Sequence, residues 1–320
     1  MGFGIGGYLS LSKQTVWGTA TTSRVYIPFI SESLTQNKEQ LFSENIKTVY
    51  DQPDALEGIN NVTGDIAFEP HPIVLGEFLQ SAVGVPTSTL QTSAYLHEFL
   101  PRQADWGTDG ALTPYTIEIY KNVGSAYQVV DAQIHTLAIE LTAGAIVKAT
   151  ATVHGRAYSK VAKQTASYID SKPFTWNQCS LEVAGSANSN FESATITITN
   201  PVEGIPMLNN STSEGRVLRT GFRTVSVTGE QDFSDQAEEG IFINQTRQRF
   251  RFSVTGGTTV GNTGEFNQLV MDLPQVNYST YTYPIGGAGR VVASYEGNAE
   301  YNTTSSYAIR YTLQNTSSSY

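Results

Sequence analysis

Apolar and polar residues alternate with a period of two over several long segments, and this alternation constrains the fold more than any other feature. It runs through residues 134–141 (IHTLAIEL) and resumes in residues 146–155 (IVKATATVHG). Similar runs are TITIT at 195–199, TVSVTG at 224–229 and RQRFRFSV at 247–254. Because successive side chains of a strand point to opposite faces, the pattern predicts half-buried strands in both halves and a hairpin that turns near Gly144.

The composition agrees with a mainly β chain. Charged residues make up only 15% of the 320 residues, and the 28 glycines and 17 tyrosines favour turns and strands over long amphipathic helices. The formal net charge is −10. Because the chain also lacks any run of consecutive lysines or arginines, a surface that grips nucleic acid through its phosphates is excluded.

Two segments have a helical pattern instead. Residues 73–83 (IVLGEFLQSAV) place apolar side chains at helical spacing directly after Pro70 and Pro72, which suit a helix start. Residues 234–245 (SDQAEEGIFINQ) offer Ser234 as an N-cap, with acidic residues favouring the positive end of the helix dipole. We expect one short helix in each half of the chain.

The chain contains an internal repeat. VTGDIAF at 62–68 recurs as VTGEQDF at 227–233, at an offset of 227 − 62 = 165. A second block matches at an offset of 286 − 144 = 142, and it pairs the positions Gly144, Lys148, Ala151, Gly155 and Ala157 with Gly286, Arg290, Ala293, Gly297 and Ala299. The difference between the offsets predicts extra residues in the first copy, in the loop-like stretch 84–115.

The repeat predicts two copies of one β fold. The first domain is expected at residues 1–160, a linker at 161–172 and the second domain at 173–320. The VTG-acid motif is interpreted as a turn at a strand end that leads into the short helix. Two roles stay open for its acids, Asp65 and Glu230: they cap the helix region or face a neighbouring subunit.

No residue pattern indicates catalysis, a cofactor or a metal. Cys179 is the only cysteine and is expected to be an inert, buried thiol. The four histidines lack the spacing of a helical zinc pair, and neither a nucleophile elbow nor a phosphate-binding loop is present. The glycine-rich start GFGIGG is interpreted as a flexible arm, and no segment is apolar enough to predict a membrane span.

Arg247, Arg249 and Arg251 form the one basic feature. Their spacing of two places all three on one face of a strand, opposite Phe250 and Phe252. One interpretation is a solvated strand face. The other is a subunit interface, in which these arginines and the acids Asp65 and Glu230 are the candidate residues that meet a neighbouring copy.

The N-terminal half resembles the tail tube (major tail) proteins of long-tailed, siphovirus-type bacteriophages. The resemblance lies in residues 6–34 (GGYLSLSKQTVWGTATTSRVYIPFISESL) and continues through residues 58–84 (GINNVTGDIAFEPHPIVLGEFLQSAVG). It implies two tandem tube domains, each a β-sandwich or half-barrel of two packed sheets with one short helix. It also implies a structural protein of the virion tail, assembled in the host cytoplasm, that is not an enzyme.

The resemblance further implies self-assembly into stacked rings that form a hollow tube for DNA. Two domains per chain make a trimeric ring the preferred expectation over a hexamer, because three chains then supply six domains. The other implied partners are the tape-measure protein, the tail terminator and the baseplate or tip proteins. An acidic wall suits passage of DNA without specific binding.

Residues 34–58 show no clear core pattern and are long for a connection inside a compact domain. We expect a loop or arm there that the next ring orders.

Two other functions compete with the tube. A tandem β-sandwich adhesin or carbohydrate-binding module would use exposed aromatic residues such as Trp106, Tyr278, Tyr281 and Tyr283. A β-rich hydrolase would need paired carboxylates, which no spacing supports.

Overall fold

A computed structural model of the chain describes residues 2–48, 50–101, 103, 112–260 and 264–320. The protein is mainly β, with 53% of its residues in strands that pair antiparallel. This confirms the predicted fold class. The core lies between packed sheets. It is lined by the inward-facing residues, which occupy alternate positions along the strands; among them are Ile66, Leu137, Ile196 and Val227.

The first half of the described chain contains a helix and the strands that surround it. Its elements are β1 (Tyr8–Lys13), β2 (Val25–Ile27), β3 (Ser31–Glu32), β4 (Thr35–Phe42), β5 (Ala55–Phe68), α1 (Leu75–Ala82), β6 (Thr87–Leu90), β7 (Tyr95–Phe99), β8 (Tyr115–Tyr120), β9 (Ala126–Thr142), β10 (Lys148–Gly155) and β11 (Ala157–Val161). A 3-10 turn, Gly4–Gly6, precedes β1.

The second half has the same kinds of element. They are β12 (Cys179–Val183), β13 (Ser186–Ala187), β14 (Phe191–Thr199), β15 (Val202–Ile205), β16 (Arg216–Arg219), β17 (Thr224–Asp232), α2 (Ala237–Ile243), β18 (Gln248–Val260), β19 (Glu265–Thr282), β20 (Val292–Ala299) and β21 (Arg310–Asn315). A second 3-10 turn, Trp176–Gln178, precedes β12. Both predicted helices and the predicted strands are therefore confirmed.

Local signals explain most of these elements. The hairpin of β9 and β10 turns at Gly144, whose φ of 83° favours glycine. The cap predicted for α2 was wrong: the N-cap residue is Gln236 and not Ser234, and the Ala237 N–H donates to the Asp235 carboxylate at 2.8 Å. Asp235 bonds an amide two residues on, which is a local geometry that aspartate favours.

Strand pairing shows the internal repeat directly. In the first half Asp65 of β5 lies opposite Thr152 of β10, and in the second half Glu230 of β17 lies opposite Ser294 of β20. The offsets are 230 − 65 = 165 and 294 − 152 = 142. These are the two offsets read from the sequence, so the two matched blocks are neighbouring strands in each repeat.

The outer strands repeat as well. Leu9 of β1 lies opposite Ile119 of β8, and Leu181 of β12 lies opposite Phe252 of β18. The pairing of β8 with β9 and that of β18 with β19 each shift register within the first three residues of β8 and β18. The two repeats thus share these paired strands.

The repeated glycine has a different role from the predicted one. Gly64 and Gly229 lie inside β5 and β17, so the interpretation as a strand-end turn was wrong. A Cβ on Gly64 would lie 2.6 Å from the carbonyl oxygen of Ser33, and one on Gly229 would lie 2.1 Å from that of Ser193. Both glycines therefore permit a close approach of the neighbouring strand.

The two repeats share one sheet. The C-terminal part of β9 pairs with β10 along one edge and with β14, from the second repeat, along the other. Ile139, for example, lies opposite both Ala149 and Ile196. The strand order β3/β4, β5, β10, β9, β14, β17, β20, β19 is therefore continuous across the boundary between the repeats.

The extra residues of the first repeat fall where the offsets predicted, but they are not simply a loop. They contain β6 and β7, a hairpin whose second strand pairs with β21 of the second repeat. Backbone pairing to a distant strand overrides the weak local pattern of this segment.

The expected arm at residues 34–58 contains the two paired strands of a β-hairpin. β4 pairs with β5 from Thr35 opposite Thr63 to Phe42 opposite Ala55. Its side chains are mostly exposed on both faces, which is why the segment shows no core pattern. Beyond the paired strands, Ile46 and Tyr50 are fully exposed.

Candidate subunit interface

The arginine stripe lies on β18, with Phe250 and Phe252 buried on the opposite face as predicted. Each arginine has a carboxylate partner in the same chain. The closest atoms are Arg247 Nε and Glu300 Oε2 at 3.0 Å, Arg249 Nε and Asp272 Oδ1 at 2.7 Å, and Arg251 Nη1 and Glu182 Oε2 at 3.9 Å. The side chains remain between 40% and 49% exposed, so a role in subunit contacts stays a prediction.

Asp272 is the most enclosed carboxylate of this surface, with 1% of its side chain exposed. It accepts hydrogen bonds from Arg249, from the Tyr307 hydroxyl at 2.6 Å and from Arg310 at 3.3 Å. Burial by itself would raise its pKa, but the hydrogen bonds from Arg249 and Tyr307 outweigh burial and hold the pKa below its usual value.

The first repeat also has a buried aspartate paired with an arginine, but not at the equivalent position: the pairing of Ile117 with Val129 and of Phe250 with Leu273 places Asp272 at Gln128. Asp131 of β9 is 0% exposed and accepts the Nε–H of Arg156 at 2.5 Å, as well as the Gln14 side chain at 2.9 Å. Arg156 directly precedes β11, and Arg310 begins β21, so each arginine comes from the corresponding strand. Sequence reasoning missed both pairs. The available signal was an aspartate within an otherwise apolar strand run, VVDAQI and VMDLPQV.

Asp65 and Glu230 occupy equivalent exposed positions. The Asp65 N–H donates to Ser33 Oγ at 2.9 Å, and the Glu230 N–H donates to Ser193 Oγ at 3.0 Å. The Asp65 carboxylate accepts the Thr152 hydroxyl at 2.7 Å. The bond described for the Asp65 carboxylate therefore goes to a neighbouring strand and not to a helix. Both alternatives, a cap of the helix region and a contact with a neighbouring subunit, stay predictions.

These acids belong to a polar face of the shared sheet. The face is dominated by threonine, and opposite pairs such as Thr195 with Thr228 follow one another across the strands. Its acids are Asp65, Glu140, Glu230 and Glu296, and Lys148 lies opposite Glu140. The other face of the same strands is the apolar core. This arrangement is a wide hydroxyl-rich surface with a net negative charge.

The shared sheet has two open ends within the described part of the chain. At one end β3 and β4 pair only with β5. At the other end β19 stops at Thr282, and the loop 283–291 follows, with its residues exposed from 283 to 290. Unpaired backbone groups at such ends are able to pair with another chain.

The described residues contain no cluster of three side chains suited to a metal ion. Each histidine has a hydrogen-bond partner; the partners are Ser171 for His71, Ser88 and the Ser317 carbonyl for His97, the Val202 N–H for His135, and Glu214 for His154. Cys179 is partly buried and not fully buried as predicted. Desolvation raises the pKa of its thiol to about 11, which disfavours the thiolate near neutral pH. None of the helices described here is long and apolar enough to span a membrane.

The aromatic platform expected of a carbohydrate-binding module is not formed by the tyrosines of β19. Tyr278 and Tyr281 are buried, with 4% and 5% exposed. Tyr283 stacks on Phe233 with ring centroids 4.4 Å apart. The prediction that Tyr278 and Tyr281 are exposed was wrong, and Trp106 lies outside the described residues.

The fold and its polar sheet define a β-rich structural protein with open sheet ends. The family model described as "Phage tail tube protein" matches residues 4–299, which include both repeats. The chain therefore belongs to the phage tail tube protein family. No curated protein matches the chain. Membership confirms the resemblance found in the N-terminal half and implies a structural, non-enzymatic role in the virion tail.

Proposed function

We propose that the chain polymerises as stacked rings into the hollow tail tube that conducts viral DNA from the capsid to the host cell. The observation that carries this proposal is the shared sheet: two equivalent repeats lie side by side and leave one open end on each repeat. Ring closure needs contacts between the end of β19 with its loop, on one copy, and β3 and β4 on the next.

The contact between repeats within the chain supports the same contact between chains. β14, which pairs with β9, corresponds to β3 and β4, because Ser193 and Ser33 bond the equivalent amides of Glu230 and Asp65. A junction between chains at the open ends therefore repeats the junction inside the chain. Three chains then give six nearly equivalent units, and we propose a trimeric ring over a hexameric one.

Negative-stain microscopy of the purified protein tests the tube. Rings or hollow tubes are the expected result, and native mass spectrometry of isolated rings should give the mass of three chains. A protein that stays monomeric at high concentration contradicts the proposal, and rings with the mass of six chains contradict the trimer alone.

The threonine-rich face is proposed to line the lumen. DNA would slide past its hydroxyls, while Asp65, Glu140, Glu230 and Glu296 repel the phosphates and prevent sticking. Assembled tubes of the double variant Asp65→Lys, Glu230→Lys should retain DNA at low salt, whereas wild-type tubes should not. The exchange Asp235→Lys, Glu239→Lys at the start of α2 changes the charge equally and is the matched control. Equal retention by both variants would count against this placement of the face.

The division into domains is part of the same proposal. Residues 1–160 and 173–320 form the two tube domains and residues 161–172 link them. Expressed alone, residues 1–160 should unfold cooperatively but at a lower temperature than the whole chain, because β9 loses its pairing with β14. A fragment without a cooperative transition would instead indicate a single interlocked domain.

The remaining partners follow from the role in the tail. We infer contacts with the tape-measure protein in the lumen, with the tail terminator at one end and with baseplate or tip proteins at the other, after assembly in the host cytoplasm. Pull-down of each candidate by assembled tubes is the test, with unassembled protein as the control.

A further inference from the structure

The loop 283–291 between β19 and β20 is exposed from residue 283 to residue 290. Its sequence YPIGGAGRV includes three glycines at which an added Cβ would meet nothing within 4 Å. Ile285 is 80% exposed. An apolar residue and a bare backbone are thus left in solvent, and the proposed lumen does not use them.

The corresponding turn of the first repeat is covered. It connects β9 to β10, and the second repeat contacts its backbone at three places. Ala143 N–H donates to the Glu192 carbonyl at 2.9 Å, Val147 N–H donates to the Phe174 carbonyl at 3.0 Å, and Trp176 N–H donates to the Ala145 carbonyl at 3.1 Å. Ile146 and Thr175 form an antiparallel bridge between the last two of these bonds.

The segment that covers this turn has its own counterpart in the first repeat. The pairing of β1 with β8 and of β12 with β18 gives an offset of 181 − 9 = 172, which places Gly2 at the position of Phe174 and Gly4 at that of Trp176. Both segments contain the 3-10 turn before the first strand of their repeat.

Packing beneath the two segments agrees with this equivalence. The companion offset, 252 − 119 = 133, places Val123 at the position of Gly256. Phe174 lies beside Gly256, whereas Gly2 lies beside Val123, where an added Cβ would be 2.8 Å from Val123 Cγ2. In the second repeat the large side chain is Phe174 on the covering segment, and in the first repeat it is Val123 on the strand side. The backbones of the two covering segments lie at equivalent positions.

The two segments differ in what surrounds them. Phe174 is 1% exposed because the first repeat covers it. Phe3 is 63% exposed and Ile5 is 100% exposed, since within one chain no second repeat lies next to this side of the first. The contact between this segment and the turn is therefore formed between the two repeats of one chain. At residues 2–5 and at the loop 283–291 the equivalent contact would need a second chain.

We propose that residues 2–5 of one copy dock on the loop 283–291 of a second copy of this chain. This inference rests on the proposed ring and names the contact that closes it. By the offset of 142, Gly289 replaces Val147 as donor to the Gly2 carbonyl, Gly287 replaces Ala145 as acceptor of the Gly4 N–H, and Ala288 lies opposite Phe3. Glycines at the bonded positions of both segments let the two backbones approach without a side chain between them.

The apolar side chains gain cover in the same contact. Phe3 and Ile5 from one copy and Ile285 from the other lose solvent exposure together, which favours association. This explains why the glycine-rich segment before β1 keeps two large apolar residues in solvent in the isolated chain.

Cysteine cross-linking tests the contact. The bridge between Ile146 and Thr175 lies between two hydrogen bonds rather than within a bonded pair, a geometry whose short Cα separation suits a disulfide. The double variant Phe3→Cys, Ala288→Cys should therefore lose its monomer band on a non-reducing gel after assembly and mild oxidation. It should run as covalent dimers and trimers and return to monomer with reductant. A thermal melt of the reduced variant checks that it is folded.

Two controls make the result specific. Phe3→Cys with Ser318→Cys also adds two exposed thiols and should stay monomeric, as should the oxidised wild type with its Cys179. Rings in the microscope without disulfide-linked chains overturn the contact and leave the proposed function standing. Folded variant and wild type that both fail to form rings overturn the ring and the contact together.

Discussion

Helices α1 and α2 occupy the same place in the two repeats and differ in their surroundings. The second repeat encloses α1: Asn200 donates to the Ala82 carbonyl at 2.8 Å, and Tyr320 donates to the Ile73 carbonyl at 2.7 Å. The bonds described for α2 come from its own repeat, such as Gln248 to Glu238 at 2.8 Å. The second repeat thus covers the helix of the first repeat. The contacts described for α2 show no such cover from another repeat of the same chain.

The largest expected effect comes from comparing a buried residue of α1, Phe78, with an exposed residue of α2, Ile243. Phe78 is 0% exposed and stacks on Phe68 with centroids 4.0 Å apart, whereas Ile243 is 66% exposed. Phe78→Ala should lower the free energy of unfolding by about 3–5 kcal/mol through the cavity it leaves. Ile243→Ala should cost less than about 1 kcal/mol. Urea unfolding of the unassembled protein measures both, and equal losses would contradict the comparison.

The buried aspartates test whether the repeats share their electrostatics. Asp131→Asn and Asp272→Asn each replace a buried carboxylate that accepts several hydrogen bonds with a neutral amide, so each should cost about 1–3 kcal/mol. Asp65→Asn, at an exposed position, should change stability by less than about 0.5 kcal/mol. If only one of the buried variants were destabilised, the two pairs would not contribute alike to stability. Chemical denaturation at neutral pH provides the comparison.

The repeated glycine gives a smaller effect. Gly64→Ala and Gly229→Ala each force a Cβ against a serine carbonyl oxygen, and we expect a loss of about 1–3 kcal/mol from this overpacking. Gly240 in α2 has open space around it, so Gly240→Ala should be neutral or slightly stabilising. Thermal unfolding of the three variants measures this, and a neutral Gly229→Ala would contradict the close approach.

The smallest effect concerns the contact of the β6–β7 hairpin with the second repeat. Backbone N–H groups of Thr92, Ser93 and Ala94 donate to the Glu265 carboxylate and lower its pKa to about 2. A carboxylate whose pKa is lower in the folded than in the unfolded state stabilises the fold at pH values above its unfolded-state pKa. This stabilisation is lost as the pH falls through the folded-state pKa of about 2. The difference in urea midpoint between wild type and Glu265→Gln should be constant above pH 5 and vanish near pH 2. A difference that persists at pH 2 would argue against the carboxylate as its source.

Strand periodicity and the repeat were readable from the sequence because they depend on neighbours along the chain. The alternation at 134–141 and the helix at 73–83 needed only local spacing. The hairpin of β4 with β5 was not predicted, because the side chains of β4 are exposed on both faces. The hairpin of β6 with β7 was not predicted, because its partner strand, β21, is far away in sequence. The partners of Arg249 and Arg251 were hidden for the same reason: Asp272 and Glu182 approach them only through strand pairing.

The sequence by itself determined a mainly β chain with a doubled unit, because period-two patterning and matched offsets survive without any knowledge of contacts. Only the tertiary structure decided how the copies are arranged. The β9–β14 pairing makes one sheet of two repeats, and the second repeat covers α1 while α2 stays partly exposed. Pairing between distant strands depends on backbone N–H and C=O groups, which nearly every residue carries whatever its side chain. Local residue patterns therefore carry little information about which strands meet.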